Sequence, residues 1–215
     1  MAYADHCNGS KESRNELASN QARLQNLEKP ERIRQLPPER LLDLLALKET
    51  DTVLDLGAGG GYFTFPAAHR TENKVYAVDN DSFMLDILQE RSRIYETPQV
   101  EILAGNLEHV PLASSSVDAA IASLILHILK DPAAGIKEIR RVMKPGAKGL
   151  VVEWLHPRPD GKPGHRILLT EMERLLQPST VLSVRQWADT YYSIVFQIWV
   201  GRIREELYAP VSNPY

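Results

Sequence analysis

The chain has 215 residues, of which 43% are hydrophobic and 25% charged, with a formal net charge of −3. That is the make-up of a globular chain long enough to bury a core without disulfides, and its slightly acidic balance excludes bulk attraction to nucleic acid or an anionic membrane surface. Cys7 is the only cysteine, no apolar run approaches the length of a membrane span, and the polar start MAYADHCNGSKESRNE lacks the apolar core of a secretory signal, so the expectation is a soluble cytoplasmic protein without membrane contacts.

Residues 1–30 are rich in Asn, Ser, Lys, Glu and Arg. They read as a flexible segment, or as a helix that orders over a ligand. His6 beside Cys7 has no further ligand at a suitable spacing, so no metal is expected. Residues 31–200 read as a single domain. Pro37 and Pro38 open a helix over Glu39–Leu47, with Leu41, Leu42, Leu44 and Leu45 on its apolar face. Arg32, Arg34 and Arg40 read as solvated charges.

The stretch Val53–Thr64, VLDLGAGGGYFT, reads as a buried strand, a glycine-rich turn and the start of a helix. Small residues throughout the turn point to a partner packed against bare backbone. In an open α/β sheet that partner lies beyond the carboxyl ends of the strands. The dinucleotide fingerprint GxGxxG would need glycine where Tyr62 stands. Asp55, Gly57, Gly59 and Gly61 instead fit GxGxG with an acid two positions upstream. An ordinary strand-to-helix turn with excess glycine is the remaining alternative.

A helix is expected over Tyr62–Arg70, then a strand over Lys74–Asp79. In a nucleoside-binding crossover an acid at the place of Asp79 accepts hydrogen bonds from ribose hydroxyls; as an alternative it caps the next helix, a task open equally to Asn80, Asp81 and Ser82. That helix, Ser82–Tyr95, carries Met84, Ile87, Leu88 and Ile94 inward. Strands are predicted over Val100–Ala104 and Val117–Ser123, a helix over Ala133–Met143 stopped by Lys144-Pro145-Gly146, and a fifth strand over Lys148–Leu155. Lys137, Glu138, Arg140 and Arg141 read as a solvated helix surface. Beyond a Pro- and Gly-rich loop come a helix over His165–Leu176, strands over Val181–Trp187 and Tyr191–Val200, and a short helix and tail over 201–215.

With these elements in this order, about residues 38–155 resemble the class I S-adenosylmethionine-dependent methyltransferases, and most closely the small methyltransferases of the type 11 group. The resemblance rests on Asp55-x-Gly57-x-Gly59-x-Gly61, on Asp79, on Gly105-Asn106 where the family often has Gly-Asp, and on the run Val117–Trp154 with its Lys-Pro-Gly. It implies an α/β fold with a Rossmann-like, doubly wound, mostly parallel sheet ending in an antiparallel hairpin. It also implies S-adenosyl-L-methionine as cofactor and S-adenosyl-L-homocysteine as product. In the cofactor site Gly57, Gly59 and Gly61 would admit the methionine and ribose, Asp55 would orient the ammonium and Asp79 would hold the ribose. Asn80 and Met84 would flank the adenine, Asn106 and Leu107 would line its edge, and Ser123 would stand at the methionine end. His127 is the candidate general base, with a structural histidine as its alternative. Tyr62, Glu153, His156, His165 and Arg166 are candidates for the acceptor side. The expected reaction is in-line methyl transfer to a small molecule. A methyltransferase acting on protein or RNA, and a non-catalytic adenosyl-ligand binding module, are the alternatives. The terminal Asn213-Pro214-Tyr215 does not supply the NPPY motif of macromolecular methyltransferases.

Overall fold

The computed structural model describes residues 18–157 and 166–200. Helix α1 covers 18–27 of these, followed by α2 (Pro30–Gln35) and α3 (Pro38–Leu42). The alternation β1 (Val53–Leu56), α4 (Thr64–Ala68), β2 (Val75–Asp79), α5 (Ser82–Ile94) and β3 (Val100–Ala104) builds one half of the sheet. The other half comes from β4 (Val117–Ser123), a 3-10 turn at Leu126–Ile128, α6 (Pro132–Val142), β5 (Met143–Trp154), α7 (Leu169–Leu176), β6 (Thr180–Trp187) and β7 (Tyr191–Gln197). Among the described residues no helix is long and apolar enough to cross a membrane.

The sheet has seven strands in the order β3-β2-β1-β4-β5-β7-β6. The five strands from β3 to β5 are parallel, and β7 runs antiparallel to both its neighbours. The fold is therefore the doubly wound, mostly parallel sheet with a terminal hairpin expected from the sequence. The chain winds outward from β1 to β3, then returns to lay β4 on the other side of β1. This reversal leaves a crevice at the carboxyl ends of β1 and β4, because the loops leaving these strands diverge to opposite faces.

Buried strands give each sheet face its own core. Val53 packs with Leu41, Phe63 and Phe65 on one side, while Leu54 and Leu56 pack with Ile136, Ile139 and Val142 on the other. The two-residue period of a strand therefore turns Asp55 to the same side as Val53, toward α4. Leu36, Leu41 and Leu42 are fully buried, so the short N-terminal helices are anchored to the sheet by apolar contact.

Several predicted boundaries are corrected. The helix expected over Glu39–Leu47 stops at Leu42 and continues as turns. Ile94, expected inward, is 64% exposed at the end of α5. Lys144-Pro145-Gly146 does not separate helix from strand, because β5 already begins at Met143, paired with Val117, and the register then shifts to Ala119↔Lys148. Those residues form an irregularity within the strand, where Gly146 has φ +82 and donates its N–H to the Ile198 carbonyl. Nor is the surface of α6 simply solvated. Arg141 donates to the carbonyls of Val110 and Leu112, and Glu138 accepts from the Val110 N–H, stitching the loop before β4 to the helix. The helix expected over His165–Leu176 begins only at Leu169, with 166–168 non-helical ahead of it; residues 1–17, His165, and the expected C-terminal helix and tail lie outside the described residues.

Candidate cofactor-binding site

The crevice opens into a cleft of about 600 Å³, within the usual range of small-molecule sites. Its floor is the turn after β1. Gly57, Gly59 and Gly61 all have positive φ, at +72, +54 and +88. Gly57 also lies under the Ile125 side chain, so closely that a Cβ would stand 2.4 Å from Ile125 Cγ1. Bare backbone is thus required at that point by both conformation and contact.

Asp79 ends β2 beside this turn and is 7% exposed. Its Oδ2 accepts the Gly59 N–H at 2.8 Å and its Oδ1 accepts the Asp81 N–H at 3.0 Å. The helix-capping task falls to Asp81, whose Oδ1 accepts from the N–H groups of Phe83 and Met84. Asp79 is accordingly free of capping and held in the cleft wall.

Asp55 lies behind the floor rather than on it. Its carboxylate accepts the Thr64 hydroxyl at 2.6 Å, and burial pushes its pKa up to about 6, opposed by the Thr64 hydrogen bond and aided by the charge of Asp79. The sign of the linkage follows. With a folded pKa near 6 against an unfolded 3.8, ionised Asp55 costs the folded state about 3 kcal/mol above pH 6. That cost disappears as pH falls through 6 toward 4, where the folded protein takes up a proton before the unfolded chain does. Asp55→Asn is therefore expected to raise stability by up to about 3 kcal/mol at pH 7.5 and to leave it near the wild-type value at pH 4. Urea denaturation at the two pH values measures this, and an equal effect at both would show that ionisation is not the cause.

Helix α1 roofs the cleft. Arg23 pairs with Asp81 and Glu28 pairs with Arg91. Arg91 Nη1 also donates to the Gly60 carbonyl at 2.6 Å. Leu24 faces Gly60 so closely that a Cβ there would meet it at 2.8 Å, and Leu27 would stand in ordinary contact, 3.7 Å from a Cβ on Gly59. Opposite, Leu124, Ile125 and Ile128 from the exit of β4 form an apolar wall, next to Ser123. The Ser123 Oγ is buried and has no hydrogen-bond partner among the described residues.

Of the residues singled out in the sequence, Gly57, Gly59, Gly61, Tyr62, Asp79, Asn80, Met84 and Ser123 line this one cleft. The others that are described go elsewhere. Leu107 is buried in the core with Val78 and Val110 instead of lining the cleft. The Asn106 side chain accepts the Glu108 N–H at 2.8 Å, closing its own turn. His127 and Glu153 are 3% and 1% exposed and form a pair outside the cleft lining. His127 Nδ1 lies 2.8 Å from Glu153 Oε2, and its backbone N–H donates to Oε1 at 3.2 Å. This pair ties the turn after β4 to the end of β5, so the geometry favours a structural histidine over a general base. Glu153→Ala would strand two buried groups of His127, and a loss of about 3 kcal/mol is expected in chemical denaturation; a loss under about 1 kcal/mol would mean that the pair has no anchoring role. His156 is exposed, 3.4 Å from Asp189. Arg166 is exposed and outside the cleft lining, and His165 lies outside the described residues. Among the described residues, Tyr62 is the only member of the expected acceptor set on the cleft.

Sequence reasoning missed Arg23, Glu28, Arg32 and Arg91. Arg32, taken for a solvated charge, lies with its guanidinium 4.2 Å from the centroid of the Tyr62 ring. No local signal distinguishes it from Arg34 two positions on, which pairs with Glu31 on the surface.

The site fits an adenosyl amino acid. It offers a buried acid at the end of β2, a glycine floor for close approach and an unpartnered hydroxyl at the end of β4. Residues 54–152 match the family model described as a methyltransferase domain. The chain carries a class I S-adenosylmethionine-dependent methyltransferase domain. The cofactor that belongs to this domain is S-adenosyl-L-methionine. The methyltransferase domain is similar in structure to a SAM-dependent methyltransferase from Aquifex aeolicus, with a TM-score of 0.72 and 26% identity over 82% of this chain and 97% of that one. In sequence it is 40% identical over 116 residues to an uncharacterized methyltransferase of Mycobacterium tuberculosis, covering 54% of this chain and 44% of the relative. It is 30% identical over 151 residues to a demethylmenaquinone methyltransferase of Paenarthrobacter aurescens, covering 70% of this chain and 56% of the relative. The chain thus spans about half the length of these curated relatives.

Proposed function

We propose that this protein transfers the methyl group of S-adenosylmethionine to a small-molecule acceptor, with residues 31–200 acting as one unit in the cytoplasm. The observation that carries the reading is the convergence of Gly57, Gly59, Gly61, Asp79 and Ser123, from the ends of three strands, on one cleft. When bound, the cofactor supplies a sulfonium-activated methyl carbon and a thioether leaving group. Asp79 accepts from the ribose hydroxyls, and the glycine turn lets the ligand approach the backbone. The Ser123 hydroxyl hydrogen-bonds the amino-acid end.

The chain contributes position and exclusion of water rather than a dedicated base. Roofing by α1 keeps solvent from the cofactor. The acceptor side is the apolar wall of Leu124, Ile125 and Ile128, with Ile128 52% exposed at the mouth. This wall suits an acceptor with an apolar ring, and the likeness to a demethylmenaquinone methyltransferase supports that class.

The test is calorimetric titration of the purified protein with S-adenosylmethionine, S-adenosylhomocysteine and, separately, NADH. Saturable binding of the first two alone is expected, followed by methyl turnover when apolar hydroxyl, thiol and amine acceptors are screened. No binding of either adenosyl compound by folded protein would return the glycine turn to a structural role.

A further inference from the structure

Among the described residues the cleft wall carries several charges, and all but one are compensated. Arg23 is paired with Asp81, Arg91 with Glu28, and Glu39 with Arg70. Asp79 is satisfied by two backbone N–H groups. Arg32 is the exception. Its Nη1 donates to the Leu27 carbonyl at 2.9 Å and its fork lies over the Tyr62 face, but among the described residues no carboxylate pairs with it. Its Nε is buried without a hydrogen-bond partner. The interior acid whose charge reaches it, Asp55, is occupied by Thr64.

A guanidinium so placed keeps its charge under all ordinary conditions. Leaving it unpaired in a half-buried cleft is costly, and a planar fork matches a carboxylate in two-point geometry. Tyr62 fixes the fork from below: its ring faces the cation, while its hydroxyl donates to the Leu36 carbonyl at 2.7 Å and so cannot swing away freely. The rigid mounting lowers the entropy lost when an anion docks.

We propose that Arg32 is a carboxylate-binding residue of the cleft. The proposal rests on the reading of the cleft as an adenosyl-ligand site. Two carboxylates can reach such a position, that of the cofactor's methionine and that of an acidic acceptor. The ligand chemistry is the same in both.

The experiment uses full-length wild type, Arg32→Met, which keeps the apolar stem, and Arg32→Lys, which keeps the charge without the fork. Each is titrated with S-adenosylhomocysteine, with 5′-methylthioadenosine, which has the adenosyl thioether but no amino-acid end, and with benzoate in the presence of saturating S-adenosylhomocysteine. If the cofactor carboxylate binds Arg32, Arg32→Met loses roughly 10- to 100-fold in affinity for S-adenosylhomocysteine and less than about 3-fold for methylthioadenosine, with Arg32→Lys between. If the acceptor carboxylate binds there, both adenosyl ligands bind as in wild type and saturable benzoate binding disappears in Arg32→Met. Equal losses for all three ligands would assign Arg32 a structural role and overturn the proposal. So would unchanged binding throughout. Should Arg32→Met fail to fold, the same comparison in Arg32→Lys decides. A wild type that binds no adenosyl compound fails the cofactor reading itself, which separates that failure from one confined to Arg32.

Discussion

Asp79→Ala is expected to weaken S-adenosylhomocysteine binding by roughly 30- to 150-fold, corresponding to about 2–3 kcal/mol. Two effects combine. A carboxylate that accepts from both ribose hydroxyls makes charge-assisted hydrogen bonds, which are stronger than neutral ones. The same carboxylate holds the Gly59 N–H at 2.8 Å and the Asp81 N–H at 3.0 Å, so its loss also loosens the glycine turn on one side and the entry to α5 on the other. Asp79→Asn separates these contributions. Its amide oxygen can accept from one side, but its NH₂ group faces a neighbour that also donates, so an intermediate loss is expected. Asp81, the residue that caps α5, remains in place, and the thermal midpoint should therefore fall by only a few degrees. Calorimetry on both variants measures the effect. An affinity within about 3-fold of wild type for Asp79→Ala would remove the acid from the ribose site.

Gly61→Val should be the more damaging substitution for the fold. Gly61 has φ +88, and a Cβ there would stand 2.2 Å from Phe65 Cε2 and 2.6 Å from Cδ2. A β-branched residue in this backbone region costs about 1–2 kcal/mol. Displacing the Phe65 ring adds about 1–3 kcal/mol of overpacking, because Phe65 is 5% exposed and stacked edge-on with Tyr95. A total loss of about 3–4 kcal/mol, or roughly 10 °C in thermal midpoint, is expected. Gly60→Ala is the contrasting variant. Gly60 has no positive φ, and its added methyl would meet Leu24 of α1 at 2.8 Å and Arg91 Nη1 at 3.0 Å. The strain then falls on the roof rather than on the core, so ligand affinity should change more than stability. A Gly61→Val protein as stable as Gly60→Ala would show that the turn relaxes freely.

The sequence by itself determined the skeleton of this protein. Short, largely apolar runs marked β3 and β4 to the residue, and β2 to within one residue, because the strands of a parallel sheet are locally apolar whatever packs around them. The glycine spacing after β1 and the acid ending β2 were legible for a related reason. A turn that needs positive φ and a close neighbour admits few residue types, so the constraint is written in the residues themselves. Boundaries were less legible where long-range pairing overrode local chemistry: Lys144-Pro145-Gly146 looked like a stop, yet Met143 had already joined β5 through Val117.

Only the tertiary structure decided which side chains meet. His127 follows β4 as closely as a base at the cleft would, but Glu153 holds it inside the protein. Leu107 lies near the expected adenine edge in sequence and turns into the core. Arg32 and Arg34 are indistinguishable as local sequence, and the direction each leaves α2 places one over Tyr62 and the other against Glu31 in solvent. Backbone requirements act within a few residues and leave a mark on the chain. The partner of a long polar side chain is set by packing across the whole fold, and that leaves no local mark.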